Sequence, residues 1–128
     1  MTQNIPIPYD AEFQSPIPSI WRDCIIQIVE AFKDKDFERL NTLPSVQYID
    51  LAYAAEIAKN IDDYGAHLMS LAEESWHTSV CLYMENESWQ AIIDLFTVEE
   101  GRSDLIIDLF IFKKEDQFIF QINNIYVP

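Results

Sequence analysis

Two aspartates, Asp94 and Asp108, interrupt apolar runs in the C-terminal part of the sequence. Paired carboxylates on a half-apolar surface can act as acid and base, because burial and mutual repulsion raise the pKa of one of them. Two carboxylates can also hold a cation. Either chemistry requires that the elements carrying the two residues place them side by side.

Alternating apolar and polar residues predict four β-strands, at residues 78–84, 89–98, 103–112 and 118–127. The alternation gives the sheet two faces. The wholly apolar one, which we call the core face, is expected to lie under helices; the other, called the open face, mixes apolar and polar side chains. The open face is predicted to carry His77, Ser79, Cys81, Tyr83, Gln90, Ile92, Asp94, Phe96, Asp104, Ile106, Asp108, Phe110, Phe112, Ile119, Gln121, Asn123, Ile125 and Val127.

Gly101 fixes the predicted pairing of the second and third strands. A three-residue loop that ends in a left-handed glycine, Glu99-Glu100-Gly101, sets Val98 opposite Arg102 and Asp94 opposite Ile106. This register also keeps Asp94 from facing Asp108, and directly opposed like charges destabilise a sheet. The two aspartates then become diagonal neighbours.

The outer loops predict two rows of residues across the open face. Loops at 85–88 and 113–116 lead to the rows Ser79–Asp94–Ile106–Asn123 and Cys81–Ile92–Asp108–Gln121. The candidate binding site therefore consists of Ser79, Asp94, Phe96, Asp108, Phe110, Gln121 and Asn123. Three interpretations stay open: a solvated sheet face with two acids, a binding surface, or a catalytic acid–base pair.

The sequence contains no pattern for a catalytic motif, a metal site or a cofactor. His77 and Cys81 lie about 13 Å apart along the predicted strand, which is too far to share one metal ion. A glycine-rich phosphate loop is excluded by a total of two glycines. We therefore assign no catalytic residue, expect no metal and no cofactor, and favour a non-enzymatic protein over an enzyme without excluding either.

Residues 1–15 and 16–128 are expected to behave differently. Closely spaced prolines in residues 1–15 predict an extended N-terminal arm. Residues 16–128 are predicted to form one α+β domain, with N-terminal helices packed on a curved antiparallel sheet of four or more strands. One of those helices is expected to begin after Asp50 and to end at Gly65.

The formal charge of the chain is −14, from 22 acidic and 8 basic residues. Such a field repels nucleic acid and anionic membranes and attracts basic proteins. Because the N-terminus has no basic residue before Arg22 and no long apolar run, we expect neither a signal peptide nor a membrane span, and a cytoplasmic location. The two cysteines, Cys24 and Cys81, are expected to be reduced and buried.

Several short segments resemble a small family of uncharacterised bacterial domains. They are Pro18-Ser19-Ile20-Trp21-Arg22, Trp76-His77-Thr78-Ser79-Val80-Cys81, Glu99-Glu100-Gly101-Arg102-Ser103-Asp104-Leu105 and Tyr126-Val127-Pro128. The resemblance covers most of residues 16–128 and implies no activity. At the level of the fold, the order of helices and strands is similar to the nuclear-transport-factor-2-like cone, which is an analogy and transfers no residue roles.

Three functions are compatible with the sequence. The first is a non-catalytic, acidic protein-binding domain, such as an immunity protein that inhibits a basic toxin. The second is a small-ligand-binding or enzymatic pocket in a cone-shaped fold that uses Asp94 and Asp108. The third is a homodimeric scaffold that self-associates through the open face, because that face holds too many apolar groups to stay solvated.

Overall fold

The structure, a computed structural model, describes residues 4–128, and residues 1–3 of the predicted arm lie outside them. Its elements are β1 (Ser15–Pro16), α1 (Ser19–Lys33), α2 (Phe37–Leu40), α3 (Leu51–Tyr64), a 3₁₀ helix (Glu73–His77), β2 (Val80–Tyr83), β3 (Ser88–Thr97), β4 (Gly101–Lys114) and β5 (Gln117–Tyr126). The strands form one open antiparallel sheet in the order β1-β2-β3-β4-β5. The predicted α+β class, with helices N-terminal to the sheet, is confirmed.

The helices begin and end at residues with a clear physical role. Asp50 caps α3 by accepting hydrogen bonds from the backbone N–H groups of Ala52 and Tyr53. Gly65 ends the same helix at φ 86°, in the left-handed conformation that a side chain disfavours. Both predicted α3 boundary residues are therefore confirmed.

The core lies between α1, α3 and the core face of the sheet. Helix α1 buries Trp21, Ile25, Ile28, Val29 and Phe32, while α3 buries Ala54, Ile57, Ala58 and Ile61. These side chains meet the core-face residues Trp89, Ala91, Ile93, Leu95, Leu105, Ile107, Leu109, Ile111, Phe120 and Ile122, which are all at most 5% exposed. Burial on this scale provides most of the driving force for folding.

Residues 4–14 form neither helix nor strand and run along the β2 edge of the sheet. The indole N–H of Trp89 donates a hydrogen bond to the carbonyl of Pro8 at 2.7 Å. The ring of Tyr9 packs against the rings of Tyr83 and Trp89, at centroid distances of 5.4 and 5.6 Å. β1 then pairs with β2 and covers its outer edge.

The predicted pairing of the second and third strands is correct in its centre. Asp94 lies opposite Ile106, as predicted, but a bulge follows and Arg102 pairs with Phe96 instead of Val98. The loop comprises residues 98–100, and Gly101, at φ 73°, begins β4 after it. The left-handed glycine was assigned correctly, but a bulge cannot be read from alternation alone.

The predicted pairing of the last two strands is wrong by two to three residues. Glu115 and Asp116, at φ 50° and 65°, form a two-residue turn, so that β4 extends into the predicted loop at 113–116 and Lys114 pairs with Gln117. Asp108 therefore lies opposite Asn124 and not Gln121, and Ile106 lies opposite Tyr126 and not Asn123. A second bulge, after Asp108, moves Ile125 to the core side, where it is 1% exposed.

The predicted pairing of the first two strands is wrong by one residue, which exchanges the faces of β2. Val80 lies opposite Ile92, and Cys81 lies opposite Ala91. The turn is centred on Asn86 and Glu87, which both have positive φ. Because side chains alternate along a strand, this shift places Cys81 in the core and Val80 and Leu82 on the open face.

Candidate functional site

The open face consists of side chains from four strands arranged in transverse rows. The rows are counted from the end of the sheet that carries the β2–β3 and β4–β5 turns. They are Met84–Ser88–Phe112–Ile119, Leu82–Gln90–Phe110–Gln121, Val80–Ile92–Asp108–Asn124, Asp94–Ile106–Tyr126 and Phe96–Arg102. We call the first two rows the apolar half and the remaining three the polar half. The two predicted aspartates fall in the polar half.

Asp94 and Asp108 are diagonal neighbours because of a short repeat. The same five residues, Ile-Ile-Asp-Leu-Phe, occur at 92–96 and 106–110. Ile93 lies opposite Ile107, so each aspartate faces the first isoleucine of the other copy. This local two-fold arrangement separates the like charges and confirms the predicted central register.

Each aspartate of the polar half is bound by neighbouring side chains. The hydroxyl of Thr78 donates a hydrogen bond to Asp94 Oδ2, and the Nε of Arg102 lies 3.9 Å from the same oxygen. The amide of Gln90 donates to Asp108 Oδ1 at 3.2 Å. These contacts hold the two carboxylate side chains in place on the open face.

The polar half contains few of the components needed for a reaction. Within residues 4–128 there is no group of three histidine, cysteine or acidic side chains that could hold a metal ion. Neither of two open clefts on the surface is lined by Asp94 or Asp108. The arrangement can orient charges and hydrogen bonds, but neither of these two clefts opens directly onto the two carboxylates.

Ser79 lies away from the predicted row. It is 2% exposed, and its hydroxyl accepts a hydrogen bond from the backbone N–H of Asp94 at 2.9 Å. The hydroxyl of Ser75 donates to the Asp94 carbonyl and lies 3.0 Å from the Ser79 hydroxyl. Ser79 therefore anchors the 3₁₀ helix to the backbone of β3, because β2 begins two residues later than predicted, at Val80.

The other predicted site residues are divided among three places. Phe110 and Gln121 lie directly opposite each other in the apolar half, and Phe96 is 9% exposed at the far end of the polar half. Asn123 lies at the bulge of β5, where its side chain accepts a hydrogen bond from Gln121 at 3.0 Å. The structure therefore brings Asp94 and Asp108 together, but not the predicted set as a whole.

The apolar half borders an open cleft of about 630 Å³. Its lining includes Leu82, Phe110 and Phe112 from the open face, Met84 and Glu85 from the β2–β3 hairpin, and Ala11 from the arm. The rings of Phe110 and Phe112 are tilted by 31° at a centroid distance of 5.8 Å. This is a solvent-accessible apolar surface beside an acidic side chain.

A second cleft, of about 810 Å³, lies between the arm, α1 and the 3₁₀ helix. Arg22 lines it and is held by two hydrogen bonds from its guanidinium to the carbonyl of Ile17. The guanidinium also lies 5.0 Å above the ring of Trp76, at cation–π distance. His77 and Glu73 complete a lining of mixed charge. Arg22 is therefore occupied in joining α1 to Ile17, just before the helix, and to the 3₁₀ helix.

The two cysteines are free thiols. Burial raises the pKa of Cys24 to about 11 and that of Cys81 to about 12. Because the thiolate is the reactive form, neither thiol is activated as a nucleophile at neutral pH. Cys81 donates a weak hydrogen bond to the carbonyl of Pro16, which helps to hold β1 in place.

Leu82 and Met84 of the apolar half were missed as parts of the site, as was Thr78, which binds Asp94 of the polar half. Asn86 and Asp116 carried the signal that could have found them. Asparagine and aspartate tolerate positive φ better than other non-glycine residues, so turns centred there give the observed registers. Arg102 forms its ion pair across the strands, with Asp94.

Comparisons with known proteins identify a family but no activity. No curated protein and no solved structure gives a significant match to the chain. The likeness to the nuclear-transport-factor-2-like cone is therefore supported by no solved structure. No helix among residues 4–128 has the length and apolar character needed to cross a membrane. A family match does cover residues 29–128, and the chain therefore belongs to the family described as Domain of unknown function (DUF7668).

Proposed function

We propose that this protein is a non-catalytic, acidic protein-binding domain that binds a basic protein through the open face of its sheet. The observation that carries this proposal is the apolar half of that face. Its phenylalanines, Phe110 and Phe112, stay partly exposed beside a cleft, whereas the core face is fully covered by helices. Exposed apolar surface of this kind is typical of binding sites.

The charge of the chain supports a basic partner. The two hairpins at this end of the sheet carry four exposed acids, Glu85, Glu87, Glu115 and Asp116. Lys113 and Lys114 are adjacent to the second hairpin and offset part of this charge. With a formal charge of −14, the molecule as a whole attracts cationic proteins and increases their rate of encounter.

A homodimeric scaffold is less well supported. Two copies of a −14 chain repel each other, most strongly where their acidic hairpins would meet. Pairing through the β5 edge is also restricted, because Ser45 and Gln47 already exchange backbone hydrogen bonds with Phe120. The side chains of Tyr53 and Asn60 bind further β5 carbonyls.

The enzymatic or small-ligand alternative lacks a supporting observation around Asp94 and Asp108. Both carboxylates are engaged by neighbouring side chains, and neither carboxylate lines either of the two clefts. A ligand pocket needs a concave surface with a few convergent polar groups. Small size, acidity and the absence of a catalytic motif instead favour the more specific proposal of an immunity-type inhibitor of a basic toxin.

A pull-down experiment that compares the proteins bound by wild type and by a variant tests the proposal. Wild-type protein and a Phe110→Lys variant are immobilised and exposed to a cell extract at physiological salt. Lysine keeps an apolar stem on the open face, so the fold is expected to persist, but its charge repels a basic partner. Ile20→Lys is the matched control, because Ile20 is 64% exposed on α1.

We expect wild type and Ile20→Lys to retain the same basic proteins and Phe110→Lys to lose them. Co-expression with a retained protein that is toxic would then test inhibition directly. Retained proteins that are not basic, or that bind Phe110→Lys equally well, would contradict the proposal.

A further inference from the structure

We infer that the apolar half of the open face, closed on one side by the N-terminal arm, is a docking cleft for a short basic and amphipathic segment of a partner protein. The segment would place an aliphatic or aromatic side chain in the cleft and lysine or arginine side chains against its acidic rim. This inference rests on the proposed function and assigns the partner's chemistry and its place on the protein.

The floor of the cleft comes from two strands of the sheet. Leu82 on β2 and Phe110 on β4 belong to one transverse row, with Gln90 between them. Phe112 lies two residues further along β4, and its ring packs against that of Phe110. The aromatic side chains therefore form a fixed surface, which loses little conformational freedom when a partner binds.

The N-terminal arm supplies one wall. Pro8 is held by Trp89 from the core face, and Tyr9 packs on Tyr83. Two residues later, Ala11 lines the cleft beside Leu82 and the open-face phenylalanines. The arm thus passes around the β2 edge from one side of the sheet to the other and converts a flat face into a concave one.

Exposed acidic residues lie in, or next in sequence to, the segments that line the cleft, and we call this set the acidic rim. Asp10 and Glu12 flank Ala11 in the arm, and both are exposed. Glu85 lines the cleft from the β2–β3 hairpin, and Glu87 is two residues away. Two basic residues, Lys113 and Lys114, follow the floor residue Phe112 at the end of β4, and Lys114 is exposed. A basic occupant complements this rim, whereas a second copy would oppose acid to acid.

The size of the cleft limits what it can take. A volume of about 630 Å³ is within the range of pockets that bury a drug-sized ligand. It accommodates a few side chains rather than the face of a whole domain. The expected occupant is therefore a short segment whose apolar residue is the anchor of a larger contact.

A peptide display selection tests the inference even while the natural partner is unidentified. Wild-type protein is panned against a random peptide library, and the enriched peptides are measured by fluorescence anisotropy. We expect peptides that combine an aromatic or aliphatic residue with lysine or arginine. A Leu82→Thr, Phe112→Thr double variant is expected to weaken binding by at least about tenfold, while Ile20→Thr changes it little.

Circular dichroism and a thermal melt establish that the double variant is folded. If the double variant is not folded, an Ala11→Arg variant replaces it. Ala11 is exposed and lines the cleft, so an arginine there would block the cleft and repel a basic peptide without disturbing the core. The same loss of at least about tenfold is expected.

The outcomes separate the inference from the proposed function. Basic peptides that bind the cleft variants as well as wild type would overturn the cleft and leave a basic partner in place. Enrichment of acidic or neutral peptides would overturn both. A selection without enrichment would overturn the cleft, while the retention experiment with Phe110→Lys would still decide the proposed function.

Discussion

The two halves of the open face lie on the same strands but differ in how their side chains are bound. In the polar half, Asp94 and Asp108 are bound by Thr78, Arg102 and Gln90. In the apolar half, Phe110 and Phe112 contact each other and remain accessible from a cleft. Residues with obvious chemistry are thus committed to the fold, and the surface left for a partner is the apolar one.

This contrast predicts that the two halves respond differently to mutation. Changes in the polar half should reduce the stability of the fold with little effect on binding. Changes in the apolar half should reduce binding with little effect on stability. The expected effects decrease in size from Asp94 at the centre of the polar half to Glu99 in the turn beyond it.

The largest loss of stability is expected from Asp94→Ala. The change removes the acceptor of the Thr78 hydroxyl and the ion pair of Arg102 from a carboxylate whose side chain is 15% exposed. Hydrogen bonds to charged groups contribute about 1.5–3 kcal/mol, so the free energy of unfolding should fall by that amount. The matched change in the apolar half is Met84→Thr, at a residue 49% exposed, and it should stay within about 0.5 kcal/mol of wild type. Urea denaturation measures both, and equal losses would remove the contrast.

Ser79→Ala should produce the next largest loss. It removes the acceptor for the backbone N–H of Asp94 and leaves that group, inside the sheet, without a partner. The expected cost is about 1–2 kcal/mol of unfolding free energy, measured by urea denaturation, with unchanged affinity for a selected peptide. Ser70→Ala, at an exposed position, is the control. If Ser79→Ala instead weakened binding in a fully stable protein, Ser79 would have a direct binding role.

Salt is expected to have a moderate effect on binding at the apolar half. Raising the ionic strength from about 0.05 to 0.5 M screens the acidic rim but not the apolar contact. The dissociation constant of a basic amphipathic peptide should therefore rise only several-fold, as measured by fluorescence anisotropy. Complete loss of binding at high salt would show that charge alone holds the peptide and that the apolar floor contributes nothing.

The smallest effect concerns the turn beyond the polar half. Hydrogen bonds from the side chain and the backbone N–H of His67 to Glu99 lower the pKa of that carboxyl. A carboxyl with a lowered pKa stabilises the fold above its unfolded-state value of about 4.3, and the contribution is lost as pH falls through the folded value. The urea midpoint of Glu99→Gln should therefore be slightly below wild type at pH 7 and equal to it near pH 3. A difference that persists at acidic pH would contradict this cause.

Sequence patterns predicted the core face better than the open face. Apolar alternation in β3 and β4 placed Ile93, Ile107 and Leu109 correctly on the core face. A strand with one buried face must have apolar residues at every second position, so the pattern fixes which residues face the core. The repeated Ile-Ile-Asp-Leu-Phe segment and the Gly101 turn explain why the Asp94–Ile106 pairing was also correct.

The errors all arose at turns and bulges. Positive φ at Asn86, Glu87, Glu115 and Asp116 sets the outer registers, and the two glutamates conceal these turns because glutamate is not typical of positive φ. One residue of shift in β2 exchanged Ser79 and Cys81 for Val80 and Leu82 on the open face. The role of the arm as a wall depends on contacts between residues far apart in sequence, such as Pro8 with Trp89, which no local pattern encodes.

The most direct test of the central claim is an amide chemical-shift map of the protein titrated with a selected basic peptide. We predict that the largest shifts occur at residues 82–85, 110–112 and 9–12, while Thr78, Asp94 and Asp108 change little. Large shifts centred on Asp94 and Asp108, with the apolar half unmoved, would contradict the account and place binding in the polar half instead.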